Sequence, residues 1–376
     1  MKAETSIAPI AAQGRRRDRG AVRLAATLLC LAAAACGADR GGDGESAAAK
    51  AAESARALVE AAADPCTGAE TGYVQALCGD PDLSPLVGQI REELVEAAGA
   101  LASTEGAQTM AQGQTQWLDA TRLACGVGDG KLPLTPEQKT CIKTSLEARA
   151  RAAQEAVKKD GGYLFQTVEI NRAVALPADA SEFSEFGVFA ITKEIRYPRI
   201  EGDTPQIKRF NELMAQRPVY GAQDQTSEVV DYKIAYAGAE LVSVRFAMME
   251  NALGAAHPSD SEKVVTVVMA TGEPLKETDV FAAPPAQWRA ELVKRARADL
   301  LKQIVERGGA RELPDAELAD TAVKTKNWLI TEDALVLVFP SESIGPRVLG
   351  GFEVKIPWTD LAPLLNPNAP APIRRG

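Results

Sequence analysis

Four cysteines, Cys66, Cys78, Cys125 and Cys141, fall within one stretch of 76 residues, and none occurs after it in a chain of 376. An even number of cysteines confined to one segment reads as a disulfide framework if the chain is exported. Zinc is the rival reading. It lacks ligands here, because no CxxC spacing occurs and the single histidine, His257, lies far downstream. Four cysteines allow three pairings. The sequence-local pairs Cys66–Cys78 and Cys125–Cys141 are expected, since each closes a short loop at the end of a helical pattern.

The N-terminus predicts export. Residues 1–23 carry Arg15, Arg16, Arg17, Arg19 and Arg23 against only Glu4 and Asp18, and an apolar run follows from Leu24 to Ala35. That run holds 12 residues, whereas a membrane-spanning helix needs about 20. Residues 1–35 therefore read as a signal peptide. Ala33-Ala34-Ala35-Cys36 resembles a lipobox, with alanine at the usual leucine position and Leu31 two residues further back. The resemblance implies a diacylglycerol thioether on Cys36; an ordinary cut near Ala35 is the alternative. Asp18-Arg19 stands where a twin-arginine signal would be apolar. Gly37 in place of aspartate implies sorting to the periplasmic face of the outer membrane, if the cell is Gram-negative.

Without residues 1–35 the chain has 36 basic and 49 acidic side chains, a formal charge of −13. Nucleic acids and anionic lipid surfaces need clustered Lys and Arg and are not expected as partners. Membrane contact is expected through the lipid alone. A basic protein suits this charge, although a solubilising surface also explains it.

Residues 36–56, rich in Gly, Ala and charge, read as a lipidated flexible tether. Residues 57–160 read as a small helical bundle. Leu86, Ile90, Leu94, Ala97, Ala98 and Leu101 recur at helical spacing, as do Trp117, Leu118, Thr121 and Ala124, and then Ile142, Leu146, Ala150, Ala153 and Val157. Pro133 and Pro136 separate the last two segments. After Lys159-Asp160-Gly161-Gly162 the texture changes to strands, at Tyr163–Ile170, Val188–Tyr197, Val229–Tyr236, Leu241–Met248, Lys263–Met269, Trp328–Ile330, Leu335–Phe339 and Gly351–Ile356. Amphipathic helices are expected at Pro205–Gln216 and Pro285–Arg307. Residues 161–366 are thus expected to form an α+β domain, an antiparallel sheet with covering helices. The Pro-rich residues 367–376 read as a disordered tail.

Both segments resemble known families. Cys66 and Cys78 lie 12 apart, and Cys78 opens Cys-Gly-Asp80-Pro81-Asp82-Leu83. Gln114-x-x-Trp117-Leu118 precedes Cys125, and Arg149 follows Cys141 by eight residues. This order resembles the LprI-type lysozyme-inhibitor domain, with Val87 in place of an aspartate and Thr121-Arg122 in place of Arg-Asp. In the second segment, Lys193-Glu194-Ile195-Arg196-Tyr197-Pro198, Phe210-Asn211-Glu212, Gly254-Ala255-Ala256-His257-Pro258 and Thr271-Gly272-Glu273-Pro274-Leu275 occur in order. Asp279-Val280-Phe281, Leu337-Val338-Phe339-Pro340 and Phe352-Glu353-Val354-Lys355-Ile356-Pro357-Trp358 follow. The set resembles the extracytoplasmic region of RsiV-type anti-sigma factors and PdaC-type deacetylases. In the anti-sigma factors that region binds host lysozyme. With neither an anti-sigma segment nor a deacetylase domain in the sequence, signalling and deacetylation are not expected.

The two resemblances together imply a lysozyme-binding, lysozyme-inhibiting lipoprotein of the cell envelope. A non-catalytic envelope scaffold or peptidoglycan-binding lipoprotein is the alternative. No catalytic residue, metal site or cofactor is expected. A single histidine forbids a His pair, no GxSxG elbow is present, and Asp80-Pro81-Asp82 lacks the EF-hand spacing. Trp117 is expected in a helical core. His257 and Pro258 are expected in a tight turn. Pro340, Glu342, Pro346 and Arg347 are expected in a stiff exposed loop that loses little entropy on binding. This loop and the His257 turn are the expected contact surface for a lysozyme cleft.

Overall fold

Local sequence chemistry sets the helix boundaries in the computed structural model, which describes residues 42–67, 72–101, 103–128, 133–176, 178–216, 225–310 and 312–375. The expected signal peptide, Cys36 and the first residues of the expected tether lie outside the described residues. Helices α1 (Gly42–Ala63), α2 (Gly72–Gly79), α3 (Ser84–Ala98), α4 (Thr104–Ala124) and α5 (Pro136–Gln154) come first. The Ser103 hydroxyl caps α4 by accepting the Gly106 N–H at 3.1 Å. A reciprocal Thr135–Gln138 capping box starts α5, with Pro136 in its first turn. Val59, Leu77, Ile90, Leu94, Leu101, Ile142 and Leu146 meet in one buried cluster.

Both expected disulfides form, Cys66–Cys78 and Cys125–Cys141, each with Cα atoms 5.7 Å apart. Loops of this length restrict the unfolded chain by about 3 kcal/mol each in the chain-entropy view. The flexible tether expected at 36–56 is overturned from Gly42 onward, where α1 begins. Its Ala, Glu and Lys are strong helix formers, and Ala55, Val59 and Ala63, four residues apart, bury one stripe against the bundle.

Strands β1 (Val157–Asp160), β2 (Tyr163–Ala175) and β3 (Ala190–Ile200) lead to α6 (Pro205–Ala215), then β4 (Thr226–Gly238), β5 (Leu241–Ala252), β6 (Ser259–Val268) and β7 (Glu273–Pro274). These seven strands form one sheet in sequence order. It is not wholly antiparallel: β3 and β4 run parallel, since α6 carries the chain back across the sheet between them. After α7 (Glu277–Val280), α8 (Pro285–Glu306) and α9 (Asp315–Ala322), a second, three-stranded sheet follows. It consists of β8 (Trp328–Ile330), β9 (Ala334–Phe339) and β10 (Phe352–Pro357), and α10 (Trp358–Leu361) comes after it. The α8 residues Trp288, Leu292, Ala296, Leu300 and Ile304 pack on this second sheet. The rings of Phe281 and Trp288 stack at 4.9 Å, and Trp328 stands edge-on to both.

Two boundary expectations are corrected. Gly161-Gly162 is a hairpin turn, with φ values of 55° and 88°, joining β1 to β2. The helices do not stand apart from the sheet, and residues 43–376 form one compact unit. Gln166 Nε2 donates to the Gly106 carbonyl at 2.7 Å. At Gly113 a Cβ would come within 3.2 Å of the Glu169 carbonyl oxygen, so α4 lies directly against β2. The expected disordered tail is also ordered through residue 375: Ala369 and Ile373 are fully buried in the core under α8. Glu240 accepts the Ala371 N–H at 3.0 Å and pairs with Arg374. Few apolar residues are needed when each meets a core that other elements have already built.

Candidate functional site

The turn from β5 to β6 carries Gly254 at φ 79°, a conformation that glycine adopts without strain. His257 and Pro258 follow it and are exposed. The nearest polar partner of the imidazole is the Pro258 carbonyl, 3.4 Å from Nδ1. The β9–β10 loop, residues 340–351, is pinned by Ile344 and Leu349, which reach into the core. The Pro340 carbonyl accepts from Ser343 Oγ at 2.6 Å, and Glu342 takes the left-handed conformation at φ 67°. Arg347 joins this loop to the His257 turn: its guanidinium donates to the Pro258 carbonyl and to Asp260 Oδ1, the latter at 3.0 Å.

Pro258 and Arg347 therefore meet directly, while Pro340, Glu342 and Pro346 share the loop that Arg347 ties down. Sequence reasoning missed the apolar side chains at this end of the sheet. Val348, next to Arg347, is 89% exposed, and Phe186 is 81% exposed. Phe186 ends a 3-10 segment, Ala178–Phe186, whose Phe183 ring lies beside Gly254. Met249, register partner of Asp260, is a further exposed apolar residue. The only sequence signal for them was large apolar residues in segments rich in turn formers.

A second feature lies where α4 and α5 cover β2 and β3. A cavity of about 240 Å³ is lined by Trp117, Thr121, Arg149, Asn171, Glu194 and Arg196, among others. Strand register sets Glu169 opposite Arg196 and Asn171 opposite Glu194 on one face. Helical spacing adds Trp117, Ala120, Thr121 and Ala124 from α4, and Ser145, Ala148, Arg149 and Ala152 from α5. The buried Arg149 guanidinium donates to Gln114 Oε1 at 2.8 Å and to Glu169, and lies 5.6 Å from the Trp117 ring centroid. Arg196 faces the other oxygen of Glu169 at 3.4 Å. Trp117 and Arg149, separate in the sequence, converge on this one cavity, and Gln114 holds Arg149 there by accepting from its Nε. Trp117 both packs on the helical core, as expected, and forms a cavity wall.

Glu194 lines the cavity at an exposed position, and the groups around it partly desolvate its carboxyl. This desolvation raises its pKa above the usual carboxylate value; Arg196 counters the rise and the negative Glu169 adds to it. Among the described residues no group of three or more His, Cys, Asp or Glu side chains is placed to hold a metal. No helix there is long and apolar enough to cross a membrane.

Comparison with known proteins places the C-terminal part. The chain is similar to a DUF3298 family member from Bacteroides fragilis, 15% identical, with 56% of this chain and 96% of that one covered and a TM-score of 0.37. It is also similar to a DUF3298 family protein from Pseudomonas aeruginosa, 18% identical, with 55% and 95% covered and a TM-score of 0.39. No curated protein matches the chain. Residues 278–359 match the family model described as protein of unknown function, DUF3298. That match begins in α7, ends in α10 and includes the stacked Phe281 and Trp288.

Proposed function

We propose that this protein is an envelope-anchored bacterial lipoprotein, lipidated at Cys36, that binds lysozyme and inhibits it by sterically blocking the substrate cleft. The observation that carries this reading is the tie between the β9–β10 loop and the His257 turn. Arg347 holds both segments in place, and exposed Val348 stands beside them. A preorganised loop with an apolar tip loses little entropy on docking into a groove. The formal charge of −13 beyond residue 35 favours encounter with a basic partner. The motif order in both halves, which resembles LprI-type and RsiV-type domains, supports the choice of lysozyme. Blocking by shape requires no covalent chemistry.

The alternative, an envelope scaffold that binds peptidoglycan, makes a different prediction. Co-sedimentation of the purified protein with insoluble peptidoglycan tests it. The lysozyme reading expects retention on the wall only when lysozyme is present. Retention without lysozyme favours the scaffold.

A further inference from the structure

The groups around the α4–α5–β2–β3 cavity have more hydrogen-bonding capacity than the protein uses. A guanidinium carries five N–H donors; Arg149, only 4% exposed, spends one on Gln114 and one on Glu169. Arg196 lies at ion-pair distance from Glu169 and Asp231, 3.4 and 3.5 Å; its buried Nε makes the first of these contacts without forming a hydrogen bond. Thr121 is 7% exposed and Asn171 is 8% exposed. Neither side chain has a hydrogen-bond partner among the described residues, and both line the cavity. Their polar atoms face the cavity, where water or a ligand can bond them.

Three features favour an organic ligand. The walls opposite these donors are the methyl groups of Ala120, Ala124, Ala148 and Ala152, which give water nothing to bond. The volume of about 240 Å³ equals roughly eight waters at liquid density, enough for a small solute. The charges are balanced and separated: Arg149 is buried at the floor, and Glu194 stands at the mouth. Two guanidiniums face two carboxylates, Glu169 and Glu194, so a neutral solute with both charges fits better than a lone ion.

We infer that this cavity binds a small zwitterion of the free α-amino-acid class. Its carboxylate points inward to Arg149 and Arg196, and its ammonium points outward to Glu194. Asn171 and Thr121 complete the hydrogen bonding of the carboxylate, and the alanine walls admit only a short side chain. A free amino acid is selected over a peptide terminus because a peptide offers one of the two charges, not both. This site is separate from the loop proposed to meet lysozyme.

The test is isothermal titration calorimetry on the purified protein, with L-alanine, D-alanine, L-tryptophan, acetate and methylamine as separate titrants. Saturable binding of an alanine enantiomer with a Kd of about 1 mM or tighter is expected, with acetate, methylamine and tryptophan at least tenfold weaker. Ala148 is exposed at the mouth, so Ala148→Leu should fold normally and weaken alanine binding at least tenfold. Asn171→Leu, checked for folding by its melting curve, should do the same by filling the floor. Lysozyme inhibition by Ala148→Leu should equal that of the wild type, which separates this site from the lysozyme surface. The inference is overturned if neither alanine enantiomer binds at about 10 mM, if acetate alone binds as tightly as alanine, or if Ala148→Leu binds alanine as the wild type does.

Discussion

Arg347 in the β9–β10 loop reaches Asp260 at the start of β6, guanidinium to carboxylate at 3.0 Å, across 87 residues of sequence. The same side chain donates to the Pro258 carbonyl. One arginine thereby ties together two loops that are distant in the sequence, adding to the anchoring that Ile344 and Leu349 give the first of them.

Replacing that arginine should separate binding from stability. The ion pair is partly exposed, so Arg347→Ala should lower folding stability by less than about 1 kcal/mol. Its affinity for lysozyme should fall about tenfold, because the loop must then be ordered on docking. A melting curve alongside a lysozyme inhibition titration checks both halves of the prediction.

The two disulfides should act on the helical region. Replacing Cys125 and Cys141 together by serine should cost about 3 kcal/mol, read as a lower denaturant midpoint. Because α4 lies on β2, the loss should appear in the unfolding of the whole unit rather than as a separate early transition for the helices.

The C-terminal segment should be essential to stability. Ile373 is fully buried under α8, so Ile373→Ala should cost about 3 kcal/mol through lost burial and the cavity left behind. Deleting residues 367–376 should destabilise further, since Glu240 then loses Arg374 as well. Chemical denaturation measures both effects.

Glu194 gives a pH signature. Its folded-state pKa is raised by desolvation, above the unfolded value of about 4.3. Between those two values the folded protein holds the proton more tightly, so stability falls as pH rises through the folded pKa. Glu194→Gln should therefore stabilise the protein at pH 7, and the gain should vanish below about pH 4. Solvent at the mouth screens the charge, so the gain should stay under about 1 kcal/mol. Melting temperatures of the two proteins across this pH range provide the check.

Much of the fold was legible because local chemistry agreed with the final packing. The helical spacing of Trp288 to Ile304 and the apolar run Leu335–Phe339 each specify one element, and the cysteine spacing matched the bridges that form. What was not legible depends on partners distant in sequence. Ala369 and Ile373 form no pattern of their own and become core only because α8 and the second sheet surround them. The parallel pairing of β3 with β4 follows from the path of α6, which strand composition does not reveal.

The sites divide in the same way. Pro258 and Arg347 were selected separately as turn and loop residues, and the structure brings them into contact. The cavity was half visible, since Gln114, Trp117 and Arg149 stood out as motif residues. Glu169, Asn171, Glu194 and Arg196 alternate along β2 and β3 as any solvent-facing polar residues would. Only the packing of α4 and α5 turns that face inward. Val348 and Phe186 gave only a weak signal, because a single apolar residue in a loop is ordinary.

The central claim is lysozyme binding, and a lysis assay with a direct binding readout tests it most closely. Cell walls are digested by a C-type lysozyme while the purified protein, from Gly37 onward, is titrated in, and binding is followed by calorimetry on the same samples. Inhibition should saturate at about micromolar protein with one-to-one binding, and should weaken as salt screens the charge attraction. If micromolar protein neither binds lysozyme nor slows lysis, the account is contradicted.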